Sequence, residues 1–155
     1  MELLVHKLQA AYPQFSFIVG KTPCWSPRIN KICYAPDQPN SISSLLHELA
    51  HATLQHKKYA NDIDLLRKEV DAWDEAQKLA AQYGLALDDN HIQNCIDTYR
   101  DWLHKRSICP ACNNSGIQES DPNSYRCINC SQSWQVSNSR FCRPYRITPK
   151  NKKAS

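Results

Sequence analysis

Nothing in this sequence approaches the ~20 consecutive apolar residues of a membrane span. The opening Met1-Glu2-Leu3-Leu4-Val5-His6-Lys7 holds too short an apolar run for a signal peptide. Internal repeats are missing, and no helix-turn-helix module stands out. Acidic residues nearly vanish from the last third: residues 104–155 hold 2 Asp/Glu against 9 Lys/Arg, net +7, whereas residues 1–103 carry net −3. Together these absences point to a cytoplasmic protein of two modules with different partners. With 41% apolar residues in 155, the chain is too hydrophobic for disorder and suits one domain plus a small appendage.

Eight cysteines are present. Cys109, Cys112, Cys127 and Cys130 form two C-x-x-C pairs, and Cys24, Cys33, Cys95 and Cys142 are scattered. Metal binding in a reducing compartment accounts for the paired set better than a disulfide framework, and the scattered set reads as free thiols.

Residues 2–12 read as an amphipathic helix with Leu4, Leu8 and Ala11 on one stripe, ending near Pro13. Phe15 to Val19 reads as a strand closed by Gly20, residues 21–30 as irregular, and Lys31 to Tyr34 as a second strand paired with the first. Asn40 or Ser41 caps a helix expected from Ile42 to Gln55. A polar turn from Ala60 to Asp64 leads to a helix from Leu65 to Tyr83, stopped by Gly84. Asp88 caps a further helix with Ile92, Ile96, Tyr99 and Trp102-Leu103 on one face. It closes on Lys105 and Arg106, cations suited to a helix C-terminus.

The first of these long helices carries His47-Glu48-Leu49-Ala50-His51, an H-E-x-x-H motif. Residues four apart on a helix lie one turn apart and roughly 40° around the axis, so the two imidazoles can grip one ion. Glu48 lies on the adjacent flank, where a carboxylate can take a proton from water activated by that ion. The neighbours Leu45, Leu46, Leu49 and Ala50 make the surroundings partly buried, and polar groups there need partners.

A catalytic zinc site needs a third protein ligand and an open position. Glu69 is the best candidate, because it falls on the apolar stripe Leu66, Trp73, Ala76, Ala80 and Tyr83, where a carboxylate is costly unless paired or bound to metal. An antiparallel helical hairpin would return it beside the histidines. Asp71, Asp62, Asp64 and His56 remain alternatives, as does a salt bridge from Glu69 to a basic residue. For the group that stabilises the oxyanion, Tyr34, Tyr59, Tyr83 and His91 are all candidates, with none favoured.

Three segments in order resemble the ImmA/IrrE-type metallopeptidases of bacteria and phages. They are Arg28-Ile29-Asn30-Lys31-Ile32-Cys33-Tyr34, then Ser43-Ser44-Leu45-Leu46-His47-Glu48-Leu49-Ala50-His51, then Glu69-Val70-Asp71-Ala72. The resemblance spans roughly residues 1–85. It implies a gluzincin-like core with His47, His51 and Glu69 as zinc ligands and Glu48 as catalytic base. The chain departs from the family after the third ligand, where Trp73-Asp74-Glu75-Ala76-Gln77-Lys78-Leu79-Ala80 replaces the usual Phe-Ala-Ala-type run. Substrate choice and repressor partners are therefore not carried over.

The two C-x-x-C pairs, 14 residues apart, form the pattern of a zinc ribbon. Four thiolates leave no open position, so this zinc is expected to be structural, and the module to need it for folding. Arg126, Arg140, Arg143, Arg146, Lys150, Lys152 and Lys153 are interleaved with Tyr125, Trp134, Phe141 and Tyr145. Such a flank can hold DNA or RNA, or its aromatics can be the ribbon's own core.

The sequence thus predicts an α+β, minigluzincin-like metallopeptidase domain over 1–106, a zinc ribbon over 107–148 and a disordered basic tail over 149–155. The expected function is a zinc-dependent endopeptidase of narrow specificity, with one catalytic and one structural Zn²⁺ and a protein or peptide substrate. Lys31 to Tyr34 is expected to align that substrate as an edge strand. The rival readings are a SprT-like protease acting on DNA-bound proteins, and an inactive zinc-stabilised module that binds nucleic acid or protein. A SprT-like site uses a third histidine soon after the motif; only His56 lies near, without the usual Gly.

Overall fold

The structure, a computed structural model, describes residues 1–137 and the backbone of residues 146–147. It is mixed α+β. Helix α1 (Glu2–Ala11) leads to strands β1 (Ser16–Val19), β2 (Cys24–Ser26) and β3 (Lys31–Tyr34). Helices α2 (Ser41–Thr53), α3 (Asp62–Gln82) and α4 (Asp89–Ser107) follow, then strands β4 (Gly116–Gln118), β5 (Ser124–Cys127), β6 (Ser133–Val136) and β7 (Arg146–Ile147). Among the described residues, no helix is long and apolar enough to cross a membrane.

The chain groups into two compact units, residues 1–59 with 67–93, and residues 60–66 with 94–155. Residues 94–106, which the sequence alone assigns to the first module, thus cluster with the cysteine-rich segment.

In the first unit the sheet order is β1-β3-β2, with β3 parallel to β1 and antiparallel to β2. Two expectations change here. Residues 21–30 are not wholly irregular, because Cys24–Ser26 pairs with Lys31–Cys33. Strand β3 is central, so it cannot be the edge that receives a substrate; Ile32 is fully buried, as a middle strand requires. On α1 the buried residues are Val5 and Leu8, with Leu4 half-buried and Ala11 exposed, a stripe turned slightly from the expected one.

Helix ends explain the remaining shifts. Asn40 sits in a left-handed conformation (φ 56°) and makes no side-chain cap; its amide reaches His91 Nδ1 instead, at 3.1 Å. Helix α3 begins at Asp62 rather than Leu65, because Asn61 Oδ1 accepts the Asp64 N–H (2.8 Å) as an N-cap should. Asp64 in turn accepts the Ala60 N–H, and Asp62 and Asp64 place negative charge in the first turn. At the other end Gly84 (φ +67°) closes a Schellman motif, with Leu85 N–H on Ala80 C=O and Gly84 N–H on Ala81 C=O. Asp88 caps α4 through the Asn90 N–H (3.0 Å).

The second unit is organised by a buried ion pair. Arg106 does not serve as a surface cation at the end of α4. Its Nε lies 2.8 Å from Asp62 Oδ2, with side-chain exposures of 2% and 4%. Its other nitrogens donate to the carbonyls of Pro122 and Ser137, and its guanidinium stacks 4.3 Å from the Trp102 ring. The Tyr125 hydroxyl donates to the same Asp62 oxygen; burial first, then that carboxylate, holds the phenol above its ordinary pKa. The Trp134 indole N–H donates to the Arg106 carbonyl (3.0 Å), one of the acceptors a helix end leaves open. Tyr125 and Trp134 stack at 5.7 Å and are buried with Cys109, Cys127 and Val136. Gly116 lies under that indole: a Cβ there would meet Trp134 at 2.3 Å and the Arg126 carbonyl oxygen at 2.8 Å.

Removing one partner of a buried ion pair strands the other charge. Asp62→Ala should therefore cost about 3–5 kcal/mol in urea unfolding followed by circular dichroism. Removal of the exposed Arg100–Asp97 pair by Arg100→Ala should cost no more than about 1 kcal/mol. Equal costs would show that the Asp62–Arg106 pair has no special place in the fold.

Candidate metal centres

Helix α2 turns His47 and His51 toward one point, and α3 supplies Glu69 to it. The buried positions on α3 include Asp62, Leu65, Glu69, Ala72, Trp73, Ala76, Leu79 and Ala80, an apolar stripe with two carboxylates in it, of which Asp62 is answered by Arg106. The Nε2 atoms of His47 and His51 lie 3.1 Å apart, and Glu69 Oε2 lies 3.2 Å and 3.6 Å from them. Ligands about 2.0–2.1 Å from a tetrahedral zinc stand about 3.3–3.4 Å from one another, so these spacings fit an ion. A second observation agrees. Glu69 Oε2 is buried and receives no well-aligned hydrogen bond. Burial acts to raise the Glu69 carboxyl, but the two imidazoles facing it outweigh burial and hold it below the ordinary carboxylate range. An anion at that position is what a cation needs.

The other proposed third ligands go elsewhere. Asp62 pairs with Arg106, Asp64 accepts the Ala60 N–H, and Asp71 is exposed. His56 approaches the opposite edge of His51, Nδ1 to Nδ1 at 2.9 Å. Glu48 is half-buried on α2 beside His47. Trp73 packs its ring 4.2 Å from that of His47, and His91 meets Trp73 edge-on at 5.7 Å. The sequence marks Trp73 only as a core residue, and nothing in its pattern reveals the contact with His47. Cys24, cross-strand from Cys33, is raised by burial, then by Cys33, and also by the Glu48 carboxylate; β2 packs against α2, the helix that carries the motif. Of the four oxyanion candidates, His91 engages Asn40 and Trp73.

The second group is Cys109, Cys112, Cys127 and Cys130, whose sulfurs all lie within 4.8 Å of one another. The two knuckles are built alike. The residue after each pair is left-handed, Asn113 at φ 59° and Ser131 at φ 60°. Each returns its N–H to the carbonyl of the first cysteine, Asn113 to Cys109 and Ser131 to Cys127. Cys109 and Cys127 then take backbone bonds from their own N–H groups to Asn114 and Gln132. Sulfur–sulfur distances of 3.6 Å (Cys109–Cys130) and 3.5 Å (Cys112–Cys127) approach the about 3.8 Å edge of a tetrahedron with 2.3 Å metal–sulfur bonds.

The thiols respond to this crowding in opposite ways. The Asn114 backbone and side-chain amides, then Asn129, hold Cys112 down to about 6 against the effect of burial. Cys130 receives a backbone bond from Gln132 that acts to lower it. The Cys112, Cys109 and Cys127 thiols and desolvation nonetheless push it up to about 12. Four thiols packed this closely could all ionise together only around a cation.

Of the basic residues singled out for nucleic acid, Arg126 is exposed and pairs with Glu119 at 3.3 Å. Arg140 and Arg143 lie outside the described residues, as do Phe141, Tyr145, Cys142 and the basic tail, and Arg146 is described in backbone only. Tyr125 and Trp134 belong to the ribbon's core and offer no exposed stacking face. No protein family, curated protein or solved structure matched the chain when compared.

Two separate centres should bind two metal ions per chain. Elemental analysis of metal-loaded protein should fall from two ions to one in His47→Ala and in Glu69→Ala, with the cysteine site retained. One ion per chain in all three proteins would remove the histidine–glutamate centre.

Proposed function

We propose that the protein is a zinc-dependent endopeptidase with a minigluzincin-like catalytic unit similar to the ImmA/IrrE type. The observation that carries this reading is the convergence of Glu69 on the two Nε2 atoms of H-E-x-x-H, with Glu48 present on the flank of the same helix. His47, His51 and Glu69 would hold the zinc, which when bound polarises a peptide carbonyl and makes water more acidic.

The remaining work falls to this chain's own groups. The Glu48 carboxylate accepts a proton from the attacking water and returns it to the nitrogen of the leaving amine. Trp73 closes one side of His47 and shields that ligand from solvent. Strand β2 lies at the edge of its sheet and packs against α2, the helix that carries Glu48, with one side unpaired by the other described strands. An extended peptide adding to Cys24–Ser26 would be held by backbone hydrogen bonds, with its scissile bond presented to Glu48. The edge is only three residues long, which favours short-range recognition and a narrow substrate range. The Cys₄ centre has no open ligand position and would hold its zinc structurally.

The position of His56 supports the glutamate-ligand reading over the SprT-like one, since the nearby histidine reaches the edge of His51 opposite to the shared point.

Glu48→Gln keeps the size of the side chain and removes the base. It should retain both metal ions and lose about 10²–10⁴-fold in the cleavage rate of a peptide library read by mass spectrometry. Cleavage at the wild-type rate in Glu48→Gln would overturn the proposed role, and no cleavage by fully loaded wild-type protein would move the reading to a binding module.

A further inference from the structure

Helix α2 does not end on a glycine. Its last turn is closed by Gln55, held in the left-handed conformation at φ 56°. The Gln55 N–H bonds to Ala52 C=O at 3.2 Å, and the His56 N–H bonds to His51 C=O at 2.9 Å. These are the two bonds of a Schellman motif, and that motif sets the residue just past the turn against the residue five positions earlier. Here those two residues are His56 and His51. The contact usually made by a pair of apolar side chains is made by two imidazoles, with ring centroids 5.1 Å apart and Nδ1 to Nδ1 at 2.9 Å.

We propose that His56 is a positioning residue for the metal centre: its Nδ1 accepts the Nδ1–H of His51, which fixes His51 in the tautomer whose Nε2 lone pair faces His47 and Glu69. The inference rests on the metal site proposed above and deepens it. The geometry supports it from both edges of the ring. His51 Nε2 lies 3.1 Å from His47 Nε2 and 3.6 Å from Glu69 Oε2, so that nitrogen belongs to the shared point. A single hydrogen can lie between the two Nδ1 atoms. If it belongs to His51, Nε2 is left without a proton and the ring is held at both ends. A ligating histidine ordinarily donates its second N–H to an acceptor that sets ring orientation and raises ligand basicity. In most sites that acceptor is a carboxylate, a carbonyl or water; here the helix stop supplies an imidazole. His56 is half-buried, and its neighbours in sequence, Gln55 and Lys57, are exposed. The side chain that turns inward is therefore the one the motif aims at His51.

The test compares His56→Ala with His56→Asn. The Asn side-chain oxygen sits as many bonds from the backbone as His Nδ1, so it can accept the same hydrogen. Zinc affinity is read by competition with a chromophoric chelator, for the equivalent that His47→Ala abolishes, while retention of the cysteine-bound equivalent reports an intact fold. His56→Ala should weaken that equivalent about 10–100-fold and His56→Asn should restore it to within about threefold of wild type. In long-range ¹H–¹⁵N spectra of the zinc-loaded wild type, His51 should carry its proton on Nδ1. Unchanged affinity in His56→Ala overturns the proposal while leaving the zinc site standing. Equal loss in His56→Ala and His56→Asn also overturns it, in favour of direct ligation by His56. A wild-type protein that binds only the cysteine equivalent overturns the underlying site as well, and so is told apart from both.

Discussion

A carboxylate buried on the apolar stripe of α3 is the constraint on which the first unit depends. Glu69 is 5% exposed, its Oε2 receives no aligned hydrogen bond, and two imidazole nitrogens face it. Buried charge is tolerated only when another charge answers it. That requirement gives the pairing of α2 with α3 its register, because a quarter-turn in either helix would move an imidazole or the carboxylate off the shared point. It also explains why a polar motif sits among Leu45, Leu46, Leu49 and Ala50, all fully buried. Apolar packing holds the helix, and the polar groups it encloses specify one arrangement among the many that packing alone would allow.

The second unit meets a similar need by different means. Arg106 and Asp62 answer each other's charge, and the carbonyls of Pro122 and Ser137 take up the remaining guanidinium donors. Tyr125, on the strand that carries Cys127, bonds to Asp62, and Trp134, on the next strand, bonds to the Arg106 carbonyl. A ribbon with few apolar residues thus borrows the end of α4 and the start of α3 as its core. The clustering of residues 60–66 and 94–107 with the ribbon follows from that.

Both candidate clusters were legible in the sequence because their spacing is dictated locally: i to i+4 on a helix, and C-x-x-C in a knuckle. Glu69 was legible too, since a carboxylate on an apolar stripe contradicts its surroundings. What escaped the sequence was set by partners distant in the chain. Strand β2 is three residues between prolines, and only its pairing with β3 makes it a strand. The central place of β3 depends on that same pairing. Arg106 resembles any cation at a helix end until Asp62, 44 residues earlier, is brought beside it. The start of α3 was hidden for the opposite reason. The Asn61 cap is local, but the apolar period begins only at Leu65, and the period outweighed the cap. Gly84 announced its helix stop, whereas Gln55 adopts the same left-handed turn without glycine's signature.

Gly116 and Trp134 divide one volume between them. The indole occupies the space where a side chain at 116 would begin, and the Arg126 carbonyl oxygen closes the other side at 2.8 Å. Rotating the tryptophan away would not make room, because backbone remains in contact. For the history of the sequence, these two positions behave as a single character. Exposed neighbours such as Ile117 and Ile128 can drift independently. The indole can be exchanged only for a residue that tolerates an empty place opposite it, and that place cannot be filled while the strand beside it stays where it is.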